Sequence, residues 1–202
     1  MSEKLGLEQT AGAGAKLYQA GGALTHNENN IYYSNTNVLN YAHLADEYKK
    51  ETLNPESLIS EVVSKLQHFK NSVDTEFIGL EQKLINGGFQ NELQFACLLK
   101  EQYAMYLTSN NLSKASQKIH AFLLARIYVS FNLYIPEAIN EGKTNAEIKQ
   151  IILEKIVQPV EDVLGVDNVL ELYHDDVMAM VYFLTGNCHI KWEGNVNLSS
   201  GI

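Results

Sequence analysis

The feature that most constrains the fold is a series of apolar positions at helical spacing that runs from Asn54 to Gly186. Apolar residues recur there every three or four positions, which is the period of one face of an α-helix. Helix-start signals such as Asn54-Pro55-Glu56 and helix-stop signals such as Gly87-Gly88 separate the runs. No alternating strand pattern follows residue 44. The sequence therefore predicts an all-α bundle of about six helices.

Local signals also predict several helix boundaries. Ser113 is placed to cap a helix whose Ala121 to Ile135 stretch is apolar on most faces, so we expect that helix to be central. Pro136 should bend or end it.

Further signals mark the last helices. Thr144 and Glu147 have capping-box spacing, and Pro159 should kink the helix that they begin. Asp167 is expected to cap a last helix, which Gly186 ends.

The N-terminal segment differs in composition from the rest. Residues 1–43 are rich in Gly and Asn, which are poor helix formers, with scattered Tyr and β-branched residues. Two alternatives remain open: a flexible tail, or an arm of extended pieces or short strands that makes the chain a homo-oligomer. The predicted organisation is an arm over 1–43, a helical bundle over 44–193 and a flexible tail over 194–202.

Charge and composition exclude some classes of function. The net charge is −9, so a general nucleic-acid coat and an anionic membrane are both disfavoured partners. Two cysteines do not make a disulfide framework. The most apolar stretches fall short of the roughly 20 residues that a membrane-spanning helix needs, and residues 1–20 have no secretory core. We expect a cytoplasmic protein without membrane contact.

Signatures of catalysis and of cofactor binding are weak. There is no phosphate-binding glycine loop and no Rossmann fingerprint. The best cluster of metal-ligand types is His174, Asp175, Asp176 and His189, and a metal-dependent hydrolase would use the two histidines and Asp176. His174 and Asp176 do not share a helix face, so a solvated acidic patch at a helix start is the competing interpretation. We expect no catalytic residue, no resident metal and no cofactor.

Two single residues stand out. Arg126 is the only arginine and lies in the most apolar helix, where it needs either an internal ion pair or a partner chain. Trp192, the only tryptophan, follows His189 after the last helix. Taken alone, this string is most often a packed closure in which the Trp192 ring covers the bundle and His189 is hydrogen-bonded.

Two motifs carry a family resemblance. Tyr18-Gln19-Ala20-Gly21-Gly22-Ala23 resembles the N-terminal tails of small bacterial conflict-system proteins. Cys188-His189-Ile190-Lys191-Trp192 resembles the close of the helical C-terminal domains in ABC-ATPase three-component, Lamassu-like antiviral systems. The resemblance implies a complex with an SMC-like ATPase, a small middle component and an effector, which the helical domain tethers.

The resemblance also implies a role for this chain. Effectors of that family usually carry an enzymatic domain before the helical one, whereas about 50 Gly/Asn-rich residues precede it here. A non-enzymatic assembly component is therefore expected, with an immunity or antitoxin-type binding protein as the alternative. The expected partner-binding residues are Tyr18, Gln19, Arg126, His189 and Trp192.

Overall fold

The computed structural model describes residues 28–53, 64–72, 78–109 and 113–194; the side chains of residues 28–37 and of Asp167 are outside the description. Within these ranges every regular element is helical, which confirms the all-α prediction. The α-helices are α1 (Glu28–Leu53), α2 (Ser64–Lys70), α3 (Leu80–Asn86), α4 (Leu93–Ser109), α5 (Lys114–Asn140), α6 (Asn145–Ile152), α7 (Gln158–Leu164) and α8 (His174–Gly186). A π-helical turn, Leu153–Val157, joins α6 to α7.

The α5 helix forms the centre of the bundle, as its apolar sequence predicts. It packs against α1, α2, α6 and α8, and Leu123, Leu124, Ile127 and Phe131 have no exposed surface. Pro136 does not end it, since α5 continues to Asn140.

The apolar length of α5 was underestimated from the sequence. Among the described residues, α5 is the one helix long and apolar enough to cross a membrane, and half of its most apolar window is buried inside the bundle. Burial of this kind is what the core helix of a packed bundle requires.

Helix boundaries that depend on local hydrogen bonds agree with the sequence. The Ser113 hydroxyl accepts a hydrogen bond from the Ser116 backbone N–H, at 3.2 Å. At the start of α6, the Thr144 hydroxyl and the Glu147 carboxylate cap each other's backbone N–H groups. Gly88, with φ of 78°, has the left-handed backbone that lets the chain turn after α3.

The first described helix begins earlier than the expected bundle start. Residues 28–43 are helical and belong to α1, so helical structure starts before residue 44, whereas the rest of the expected arm lies outside the described residues. Tyr41 and Ala45 are 2% and 1% exposed. Packing of these side chains in the core outweighs the weak helix preference of the asparagines in α1. Residues 1–27 and 195–202, the Asn54-Pro55-Glu56 signal, Tyr18 and Gln19 lie outside the described residues.

Two expectations near the C-terminus concern Pro159 and Asp167. Pro159 lies in the first turn of α7, just after the π-helical turn that interrupts the α-helix, and a proline is tolerated there because its missing N–H costs no helical hydrogen bond. Asp167 does not cap the last helix: α8 begins at His174, and the Asp176 carboxylate accepts the Tyr173 backbone N–H at 2.9 Å. The intervening turn is held by the Asn168 side chain, which bonds both backbone groups of Leu172.

Candidate functional site

The Trp192 ring closes the bundle from the inside. It is 2% exposed, and its Nε1 donates a hydrogen bond to the Thr185 hydroxyl at 3.0 Å. Its ring centroid lies 4.7 Å from Phe89 and 5.3 Å from Phe131, both edge-on. The packed-closure interpretation therefore describes Trp192, and direct contact with a partner on the outer surface does not, because a buried indole offers almost no area to one.

His189 holds the chain after α8 against α2. Its Nε2 donates to the Phe69 carbonyl at 3.1 Å, and its ring lies 5.2 Å from that of His68. Burial lowers the pKa of His189, so the neutral form is favoured at neutral pH. Its hydrogen bond gives His189 a structural role in this arrangement.

Arg126 is half-buried on α5. Its Nε is buried and has no hydrogen-bond partner in the part of the chain that the structure describes. Desolvation lowers the pKa of Arg126 and the charge of Asp162 on α7 opposes that effect. Asp162 therefore attracts Arg126 at long range, in place of the expected close ion pair. The Arg126 guanidinium can still donate hydrogen bonds to another group.

The candidate metal ligands do not come together. His174 and Asp176 lie in the first turn of α8, whereas His189 follows the opposite end of this 13-residue helix, about 20 Å away. His174 Nδ1 is 3.5 Å from Glu161 instead. Among the described residues no group of three or more His, Cys, Asp or Glu side chains could hold a metal ion. The hydrolase alternative loses its proposed ligand set.

The most site-like feature is a cleft between α4, α6, the π-helical turn and α8, which we call the α4–α8 groove. Its volume is about 270 Å³. Its apolar walls and floor are formed by Leu84, Phe89, Phe95, Ile152, Leu153, Val157, Met178, Tyr182 and Trp192. Trp192 thus contributes to the candidate site as part of the groove floor.

Charged groups line the groove beside the apolar surface. Lys149 and Glu92 form an ion pair across it, from α6 to the turn that precedes α4. His174 and Asp175 line it from the first turn of α8. Burial raises the pKa of Tyr182 to about 12, so its hydroxyl stays protonated at neutral pH. A mostly apolar cleft with a few polar groups is the usual form of a site that receives an apolar side chain or ligand.

The apolar surface continues outside the groove along α4. Phe95 is 49% exposed and lines the groove, and Leu98, one turn later, is 53% exposed. Neither was singled out from the sequence, because the apolar series that predicts α4 runs through Leu93, Ala96 and Leu99 and leaves both residues out. Residues three apart lie on neighbouring parts of a helix surface, so Phe95 and Leu98 extend the groove as one apolar strip.

Sequence comparison supplies a family for this region. A family model described as C-terminal domain 9 (CTD9) of the ABC-three component (ABC-3C) systems matches residues 79–192, more than half of the chain. Every residue that lines the α4–α8 groove falls in this range. No curated protein and no solved structure gives a significant match.

Proposed function

Because the chain belongs to the family of C-terminal domain 9 of the ABC-three component systems, we propose that it is a non-enzymatic assembly subunit of such a system. Membership implies protein partners, since the system has several components. We further propose that one of these partners is an SMC-like ABC ATPase. The complex would act in the cytoplasm, in antiviral defence.

The observation that carries the proposal is the α4–α8 groove. Its lining is mostly apolar, and Lys149 and Glu92 already neutralise each other. A groove of this kind suits an anchor side chain such as Leu, Phe or Met from a partner, surrounded by a polar rim. The groove lies wholly inside the family-matched region, where a binding role shared by the family would be located.

The exposed strip on α4 adds area to such an interface. Phe95 and Leu98 are large apolar side chains, each about half exposed. Burying them under a partner gains free energy of about 25 cal/mol per Å² of apolar surface. The α4–α8 groove is a concave apolar surface and the strip on α4 is a convex one. Both could contact the same partner.

A binding measurement with the SMC-like ABC ATPase of such a system tests the proposal. Leu153 lines the groove and is 37% exposed, so Leu153→Arg should place a charge in the groove without disturbing the core. We expect the dissociation constant to rise at least tenfold. Val166, which is fully exposed and does not line the groove, provides the matched control Val166→Arg.

The outcomes separate the alternatives. Failure of the wild-type chain to bind the ATPase would refute the proposed partner. Equal weakening by Leu153→Arg and Val166→Arg would refute the groove as the binding site. Tight binding to a toxin encoded beside this chain, without ATPase binding, would favour the immunity-protein alternative.

A further inference from the structure

The outward surface of α5 carries an apolar stripe beside its only arginine. Phe122 and Ala125 are half-buried, whereas Val129 and Leu133 are 62% and 59% exposed. These four positions are spaced three or four residues apart, so they line one side of the helix. We call them, together with Arg126, the α5 face. A stripe of this spacing is what a second helix packs against.

The N-terminal half of the α5 face forms the floor of a cleft. α1 and α2 flank this half, and the cleft between them has a volume of about 610 Å³. Ala121, Phe122 and Ala125 line its floor and Leu44 one wall. A helix packed along α5 would therefore lie between α1 and α2 at one end. At its other end it would cover Val129 and Leu133.

The charge of α5 is opposite to that of the whole chain. The helix carries Lys114, Lys118 and Arg126 but only one carboxylate, Glu137, in a protein of net charge −9. Lys118 is paired with Glu47 of α1 at 2.6 Å. Arg126 has no such partner for its buried Nε within the described residues. A buried donor that lacks an acceptor costs free energy, which a carboxylate brought by a partner would recover.

The α5 face is separate from the α4–α8 groove. Phe131 is two residues from Val129 and so projects about 200° around the helix from it. The Phe131 ring packs on Trp192, in the groove floor, at 5.3 Å. The two surfaces thus lie on opposite sides of α5, and they share no lining residue.

We propose that the α5 face docks an amphipathic helix of another subunit, and that a carboxylate beside the apolar side of that helix accepts hydrogen bonds from Arg126. This inference rests on the proposed assembly function for the existence of the other subunit. A second copy of the chain fits less well. Arg126 lies near the middle of the stripe, so twofold pairing of two α5 faces would bring two guanidinium groups together.

The first test uses two synthetic helical peptides and needs no complex. Both carry Leu at the a and d positions; one has Glu at the flanking positions and the other has Lys. The Glu peptide should bind the full chain at least tenfold more tightly by fluorescence anisotropy. Arg126→Gln should remove most of that preference and Val129→Asp should weaken binding at least tenfold, whereas the control Val166→Asp should leave it unchanged. Equal or tighter binding of the Lys peptide would overturn the inference.

The second test identifies the natural occupant. A photo-crosslinking amino acid in place of Leu133, in the reconstituted multi-subunit complex, should link to a helix of another subunit that carries Asp or Glu beside apolar residues. A link to a second copy of this chain, or an intact complex without a link, would overturn the inference and leave the proposed function standing. If no complex forms, the proposed function fails and the peptide measurement decides the inference alone.

Discussion

Lowering the pH should destabilise the bundle through His120. This side chain has no exposed surface and lies on α5 facing α4. Its Nδ1 is 3.0 Å from the Tyr103 hydroxyl, the Tyr106 ring is 5.3 Å away, and its Nε2 has no partner among the described residues. Burial lowers the pKa of His120 to about 4 from 6.5, because a charged imidazole would lose its hydration there.

The sign and size of the effect follow from this shift. Above pH 6.5 the imidazole is neutral in both states and contributes no pH dependence. Between pH 6.5 and about 4 the unfolded chain binds a proton that the folded chain does not, so the free energy of unfolding falls as the pH falls. A fall in the pKa of His120 from 6.5 to about 4 corresponds to a loss of about 3 kcal/mol of unfolding free energy by pH 4.

Urea unfolding of the wild type and of His120→Gln, from pH 7.5 to pH 4.5, measures this contribution. Other titrating groups are common to both proteins, so the difference between the two curves isolates His120. The wild type should lose about 2–3 kcal/mol more than the variant over this range. The exposed His43 supplies the control His43→Gln, which should follow the wild type. Parallel curves for wild type and His120→Gln would refute the argument.

Four further predictions concern stability and assembly. Trp192→Ala should cost about 3–5 kcal/mol of unfolding free energy, because it leaves a cavity beside Phe89 and Phe131; an unchanged melting midpoint would show that the indole is exposed. Gly87→Ala should cost about 1–3 kcal/mol, since a Cβ there would lie 2.8 Å from the Trp192 Cβ and backbone oxygen; Gly79→Ala, with no atom nearby, is the control. Removal of residues 1–27 should leave the melting midpoint unchanged and, if those residues cause self-association, should lower the mass by light scattering. Removal through residue 42 should destabilise the bundle, because it takes Tyr41 out of the core.

The sequence predicts those parts of the fold that depend on neighbouring residues. The Ser113 cap and the box of Thr144 and Glu147 are confirmed because their hydrogen bonds close within one helical turn. The central position of α5 is confirmed because apolar residues on most faces of a helix require neighbours on most sides.

The parts that the sequence does not predict depend on distant contacts. α1 is helical over an Asn-rich stretch because Tyr41 and Ala45 pack in the core, which composition alone does not reveal. The α4–α8 groove requires α4, α6 and α8 to meet, and Glu92 and Lys149 are 57 residues apart in the chain. Trp192 was identified from the sequence, but whether its ring faces outward or closes the core depends on that same packing.

Hydrogen–deuterium exchange of the full chain, with and without the proposed ATPase partner, tests the central claim most directly. If the chain is an assembly subunit that binds through the α4–α8 groove, peptides covering residues 92–98, 149–157 and 174–182 should exchange more slowly in the complex. Val166 and its flanking turn should be unaffected. Complex formation without slower exchange in those three segments, or no complex at all, would contradict the claim.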